Sequence, residues 1–426
     1  MPPALTLPIT PIDVLTEDQL AAIDGASWKI LEDIGVEFQD AEVLDLWIKA
    51  GAEVDLAAGR VRLDRGLVRA LIANAPSAFT WRARNPDHDV RIGGGQVAFG
   101  PCGGMVYVES EDGHRRPGTL KDYVDFIKVA HDSQVMHFAS WEQVTNHDLP
   151  VSVRHLHRLR ASLLHTDKPA SEVAHGRVIS ADNLAMARLV FGAAMDREVV
   201  IGDVINVNSP LRFDGRMLGG LLTYARAGQA TYITPFILAG AMSPISIAAA
   251  LSQQNAEALA GVALTQLVRP GAPVLMGGFT TNADMRSGAP ALGTPEGAWS
   301  LLAGAQLARH YGLPFRGSGA LTTSKVTDAQ AAYETAWSLW PCLLGGANLI
   351  MHAAGWLESG LTASQTKFAA DLDYLETLTL GAPVARSWQA RLRAYQPPPL
   401  DPALREALDE FVARRERELS GVALYE

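Results

Sequence analysis

Between residues 17 and 50 the apolar positions fall three and four apart. Ile23, Ile30, Leu31 and Ile34, with Ser27 in register, outline a helix that Gly35 stops, and Val43, Leu46 and Trp47 begin a second. Short strand-like pieces follow at Arg60–Leu63 and Phe79–Ala83, and Asn85-Pro86-Asp87 and Gly93-Gly94-Gly95 supply turn chemistry. This pattern predicts a mostly helical N-terminal subdomain over residues 1–95.

Beyond it two patterns alternate. Strand runs begin near Val135, Pro169, Val199, Thr231, Pro273, Pro314 and Ala347, at spacings of 30 to 42 residues, and another lies within Val97–Val108. Between them run helical stretches at Leu120–His131, Val153–Leu164, Asp214–Arg226, Ile245–Leu267, Pro295–Tyr311 and Ala329–Leu343. Strand and helix alternating at this period predict parallel βαβ units, and eight of them favour a closed (β/α)₈ TIM barrel over residues 96–370. No G-x-G-x-x-G or Walker-type run follows any of the strands, which removes the usual dinucleotide and phosphate signals. Residues 371–426 are expected to form a C-terminal helical extension, ending in an amphipathic helix with Leu404, Leu408, Phe411 and Val412 on its apolar face.

Composition narrows the chemistry. The 426 residues carry 36 Lys and Arg against 46 Asp and Glu, a net charge of −10 with no basic stripe, which argues against nucleic-acid binding. Two cysteines, Cys102 and Cys342, cannot make a disulfide framework or a four-Cys zinc site. Met1–Thr16 has no basic n-region, and the nearest approach to a bilayer-length apolar run, Ile237–Leu251, is too short. A soluble, cytoplasmic protein is expected, with no membrane partner.

In a barrel the chemistry sits at the C-terminal ends of the strands. The segments there include Gly100-Pro101-Cys102-Gly103-Gly104, Trp141-Glu142, Asp203, Gly278-Phe279, Arg316-Gly317-Ser318 and His352-Ala353-Ala354-Gly355-Trp356. They are rich in Gly and aromatics and poor in Lys, which suits a bulky, weakly polar or cationic ligand better than a phosphate ester, unless the glycines only turn tight βα corners. Acidic candidates are Glu142, Asp203, Asp284, Asp328, Glu334 and Glu358. Cys102 reads as an exposed loop residue, and His147, His165, His175 and His310 as solvated. His352 ends an apolar strand before a Gly-Trp turn, where a core or capping histidine and a functional one read alike. No set of His, Cys, Asp and Glu has metal-ligand spacing, so no metal is expected.

The stretches Ala239–Gly319 and Leu321–Ser364, with "ILEDIGVEF", "ARNPDHDVRIGGG" and "FGPCGGMVYVESEDGHRRPGTLKDY" before them, closely resemble the trimethylamine methyltransferase superfamily. The resemblance spans about Ile30 to Asp371 and agrees with the barrel read from periodicity. It implies methyl transfer from a methylated amine to the Co(I) of a corrinoid supplied by a partner protein, with no cofactor tightly bound to this chain. Archaeal members carry pyrrolysine in the stretch corresponding to Leu321–Val326, where this sequence has only standard residues and Lys325 as its one ordinary amine. The chain therefore resembles the non-pyrrolysine branch, whose substrates are quaternary amines such as glycine betaine, proline betaine or carnitine.

That branch implies a catalytic role for His352 beside the corrinoid, and the end of the strand Leu349-Ile350-Met351 with the turn at Gly355 places it at the barrel mouth, its imidazole exposed to the cavity. Tyr107, Trp141, Phe236, Phe279 and Trp356 are candidates to cage the ammonium, although each would also serve as packing. Arg316 is a candidate clamp for a substrate carboxylate, or else half of an ion pair with a barrel acid. After Asp371–Glu376 the chain is shorter than the family pattern, running through Leu380–Pro383 almost directly to Pro397–Pro402. The missing piece would belong to an active-site cover, a docking face or a dimer contact, and a homo-oligomer is possible. The alternatives are a non-catalytic paralogue that binds a betaine or a corrinoid protein, and a corrinoid-independent barrel lyase.

Overall fold

Side-chain caps decide where the helices begin. Thr16 and Thr119 form capping boxes with Gln19 and Asp122, while Asp40, Ser246, Thr294 and Asp328 accept backbone N–H groups at the starts of their helices. Pro295 and Pro402 occupy first-turn positions, where a missing N–H is harmless. The computed structural model describes residues 5–6, 9–110, 112–380, 385–422 and 424. The expected chain junction at residues 381–384 lies outside them.

The centre is an α/β fold. Six parallel strands lie side by side in the order Gln96–Phe99, Leu349–Met351, Phe315–Ser318, Val274–Gly277, Ala230–Ala239 and Gly202–Val207. Helices Leu120–Asp132, Arg154–His165, Gly215–Arg226, Ile247–Val268, Pro295–His310 and Ala329–Leu344 stand close to where the apolar spacing predicts them. The helix Ile247–Val268 is buried along most of its length, and Gly261 lets it approach Ile233 and Phe213 with no room for a Cβ. Helix Glu17–Lys29 covers its outer face, with Asn255 Nδ2 donating to Ser27 Oγ at 2.9 Å. One hydrophobic core therefore runs from Ile23, Trp28 and Trp47 through Leu259 to Phe315 and Ile350.

The ladder does not close among the described residues. The runs beginning at Val135 and Pro169, expected to be strands, are irregular segments outside any ladder. Their backbone groups are met in other ways. His137 and Phe138 N–H both donate to Phe99 O at 3.0 Å, and Phe99 N–H returns to His137 Nδ1 at 3.1 Å. Lys168, fully buried, donates to the carbonyls of Ala130, Ser133 and Met136 at 2.8, 2.8 and 2.7 Å and so ties the two segments together. On the far side Ser171 Oγ donates to Gly202 O. Side chains thus perform here the satisfaction that a ladder performs elsewhere.

The C-terminal helices brace this region. Leu408, Phe411 and Val412 of helix Pro402–Glu418 join a core with Leu156, Leu159 and Met186. Arg391, fully buried in helix Trp388–Ala394, pairs with Glu376 at 3.1 Å. Helix Gly176–Phe191, which the sequence reading passed over, begins a stretch to Asp196 that is long and apolar enough to cross a membrane by length and composition. In the fold it packs against helix Gly215–Arg226, and its Asp182 accepts from Arg415 at 2.7 Å.

Several histidines are held neutral by this packing. Burial lowers His137 to about 3, and burial with nearby positive charge lowers His131 and His165 to about 4. Because the folded values lie below the ordinary one near 6.5, the unfolded chain binds protons that the folded chain refuses. Their stabilising contribution is intact above pH ~6.5 and is lost as pH falls toward the folded values. Each such group should remove about 1.4 kcal/mol of stability per pH unit within that window. Urea midpoints at pH 7, 6 and 5 should fall in that order; a flat series would contradict the assignment.

Candidate active site

Glycines let the backbone turn tightly around the C-terminal strand ends. There a cavity of about 430 Å³ opens, lined among others by Trp141, Phe236, Phe279, Arg316, His352 and Trp356. Six of the seven residues singled out from sequence therefore meet in one place. The seventh, Tyr107, does not. It sits on the strand Tyr107–Glu109, paired with Thr362–Ala363 and Arg115–Pro117, and its ring faces the Arg115 guanidinium at 4.8 Å.

His352 follows the strand Leu349–Met351 with φ of +58°, a left-handed conformation that is uncommon for a residue with a side chain. Backbone bonds from His352 N–H to Pro101 O and from Ala353 N–H to Gly100 O hold it there. Gly355 closes the turn with φ of +90°, where a Cβ would strike Phe368 and Cys102 Sγ. Its N–H donates to Asp371, whose other oxygen is paired with buried Lys367. His352 lines the cavity, the placement expected from the end of its strand, but at 4% exposed it is more deeply buried than the partly exposed histidine expected there. Its ring lies 4.6 Å from Trp356, 5.0 Å from Trp141 and 5.8 Å from Phe279.

Arg316 is 1% exposed. Its Nη2 lies 3.1 Å from His352 Nε2, its Nη1 donates to Ser318 Oγ at 2.7 Å, and its Nε has no partner. No carboxylate reaches ion-pair distance of it among the described residues, so the ion-pair reading does not hold. Burial lowers this guanidinium to about 10. Arginine only donates, so His352 Nε2 must accept and the ring proton belongs on Nδ1, which is buried without a partner. Burial, and then the Arg316 charge, push His352 well below the usual histidine range.

The Trp141 face presses on Gly103, where a Cβ would overlap the indole. Its Nε1 donates to Asp203 at 2.7 Å. Asp203 is fully buried and also accepts from Tyr232 OH at 3.1 Å and Ala174 N–H at 2.8 Å. Glu142, beside Trp141, is bonded to buried Arg158, which also holds Glu172. Burial would raise Glu142, but Arg158 together with His175 and Arg154 outweighs it and keeps this carboxyl below its ordinary value. Burial raises Glu172 to about 7 against the pull of Arg158.

Some placements were missed from sequence. His175, read as solvated, lines the cavity, and so do Thr234 and Asn206. Cys102, read as exposed, is buried, and burial pushes its thiol far up. Arg158, Glu172 and Tyr232 carried no sequence signal, since their partners lie on other elements. Lys325 lines a separate groove with Asp284, Ser324 and Asp328.

A sequence model of the trimethylamine methyltransferase (MTTB) family matches residues 1–383. A glycine betaine methyltransferase of Desulfitobacterium hafniense is 41% identical over 361 residues, covering 84% of this chain and 75% of the relative. The trimethylamine methyltransferase MttB of Methanosarcina barkeri (strain Fusaro / DSM 804) is 30% identical over 377 residues, 85% of this chain and 74% of that protein. Among solved structures, the hydroxylamine complex of MtmB superposes with a TM-score of 0.56 at 10% identity, covering 97% of this chain and 89% of the other. The Methanosarcina barkeri monomethylamine methyltransferase MtmB gives 0.53 at 10% identity with the same coverage. At that identity the likeness is one of fold alone.

Proposed function

This chain belongs to the trimethylamine methyltransferase family and is a methyltransferase, and from that premise we propose that it demethylates a small carboxylated quaternary amine. Glycine betaine is the simplest such substrate, and the methyl acceptor is the Co(I) of a corrinoid carried by a separate protein. The observation that carries this reading is a buried guanidinium without a counter-ion, set among aromatic faces in one cavity. Arg316, in the cavity lining, offers its guanidinium to a carboxylate, and Trp141, Trp356, Phe279 and Phe236 offer π faces to the trimethylammonium.

A quaternary nitrogen asks little chemistry of the protein. As the methyl carbon leaves, its bonding pair stays on nitrogen and the product is a neutral tertiary amine, so no leaving-group protonation is needed. The chain's task is to orient the N–CH₃ bond toward the open side of the cavity and to exclude water. Phe236 and Phe279, half-buried, line the cavity together with the buried Arg316 and His352. In this reading the segments from Val135 and Pro169 complete an eightfold barrel over residues 96–370, with helical parts at 1–95 and 371–426. The corrinoid enters as a second substrate in the cytoplasm.

A screen checks the assignment. Protein incubated with reduced free cobalamin and glycine betaine, proline betaine or carnitine should discharge the Co(I) absorbance with at least one of them. Discharge only with a methyl donor that lacks either the carboxylate or the quaternary nitrogen would sink it.

A further inference from the structure

A buried positive charge lines the cavity and a buried negative charge is bonded to one of its lining residues, and neither is neutralised by an ion pair among the described residues. One is Arg316. The other is Asp203, whose donors are the Trp141 indole, the Tyr232 hydroxyl and the Ala174 peptide, all neutral. Tyr232 lies between the two, its hydroxyl on Asp203 and its ring 6.0 Å from the Arg316 guanidinium carbon. Glu142 is the acid that lines the cavity itself, but Arg158 already neutralises it.

We propose that Asp203 is the positioning residue that makes Trp141 selective for a quaternary ammonium. It accepts the indole N–H, fixes the ring plane against Gly103, and places a negative charge at the edge of the ring whose π face the cation meets. An indole whose N–H is bonded to a carboxylate is a more electron-rich partner for a cation than one bonded to a neutral acceptor. With Arg316 in the cavity lining as well, the site offers a buried charge of each sign to a zwitterion. Burial pushes the Asp203 carboxyl up, yet an indole and a peptide N–H can only donate, and that is the partner set of an anion. Asp203 also ties the Trp141 and Ala174 segments to its strand, so a purely structural role has to be separated from an electrostatic one. The inference rests on the quaternary-amine reading above.

The separating experiment compares a cation with its uncharged twin. Glycine betaine and 3,3-dimethylbutanoate share shape and carboxylate, and only the first has a charged centre. Calorimetry on the full-length protein should give wild-type preference for the betaine. Asp203→Asn, which keeps an acceptor oxygen but not the charge, should raise the betaine Kd about 10-fold and leave the isostere within about 2-fold. Trp141→Phe removes the indole N–H from the other side and should narrow the preference likewise, which keeps the inference testable if Asp203→Asn fails to fold. Equal losses for both ligands, or full preference retained in the variants, would overturn the Asp203 role alone. Wild-type protein that binds neither ligand overturns the betaine reading and this inference with it.

Discussion

Arg316→Met should lower kcat/KM for carboxylated quaternary amines by about 10³-fold and at the same time raise the thermal midpoint of the ligand-free protein. Both effects come from one fact. The guanidinium is buried, hydrogen-bonded only to Ser318 Oγ and a histidine nitrogen, with the Tyr232 ring 6.0 Å away. Its lowering to about 10 corresponds to roughly 3 kcal/mol of unrewarded desolvation. Neutral pH lies below both that value and the ordinary one, so the penalty acts in full under working conditions. A methionine of similar length fills the space with no charge to bury, and such replacements of buried charge are often neutral or stabilising. Once a ligand carboxylate is present, removing its partner forfeits a desolvated charge pair, a loss of about 2–5 kcal/mol.

Arg316→Lys should fall between the two, because a point charge cannot reproduce the fork that also reaches His352. Glycine betaine should raise the midpoint of the wild type and leave that of the Met variant unmoved. A Met variant less stable than wild type, or one with its kcat/KM intact, would return Arg316 to a packing role.

Sequence made this pocket legible for a physical reason. His352 sits just past the end of a short apolar strand, Arg316 lies within the neighbouring strand one residue before Gly317, and Phe279 and Trp356 follow glycines, so period and turn chemistry locate them without a contact map. The same logic failed at Tyr107. Its segment leaves the central sheet after Phe99 and pairs with Thr362–Ala363, a register that nothing local announces. It failed again at the runs from Val135 and Pro169, which are apolar enough to read as strands. Their backbone is satisfied by His137, Lys168 and Ser171, one polar residue at a time and with no period to detect. Asp203 could be named as a candidate acid, but its bond to Trp141 spans 62 residues of sequence and exists only in the fold. Glu142 was nameable in the same way, and the Arg158 that neutralises it was not.

His352→Asn should retain a larger share of methyl transfer than His352→Ala, and the Ala variant should lose about 10²-fold in kcat with a much smaller change in amine KM. The backbone explains the choice of variants. At φ of +58° alanine adds strain, whereas asparagine tolerates the left-handed region, so the Asn variant separates side-chain chemistry from fold damage. The chemistry at stake is that of a neutral ring. Arg316 fixes Nε2 as an acceptor, and burial together with the Arg316 charge keeps the group uncharged well below the usual histidine range. What His352 can offer is therefore an Nδ1–H hydrogen bond rather than a proton from an imidazolium, and the asparagine amide can offer an N–H in its place. The wild-type rate should accordingly show no limb from this residue between pH 6 and 8, since a group whose folded value is lowered stays neutral throughout that interval. A wild-type limb near pH 6.5 that vanishes in the Asn variant would mean that His352 acts as an acid after all. An Ala variant with an unchanged rate would leave it a wall residue.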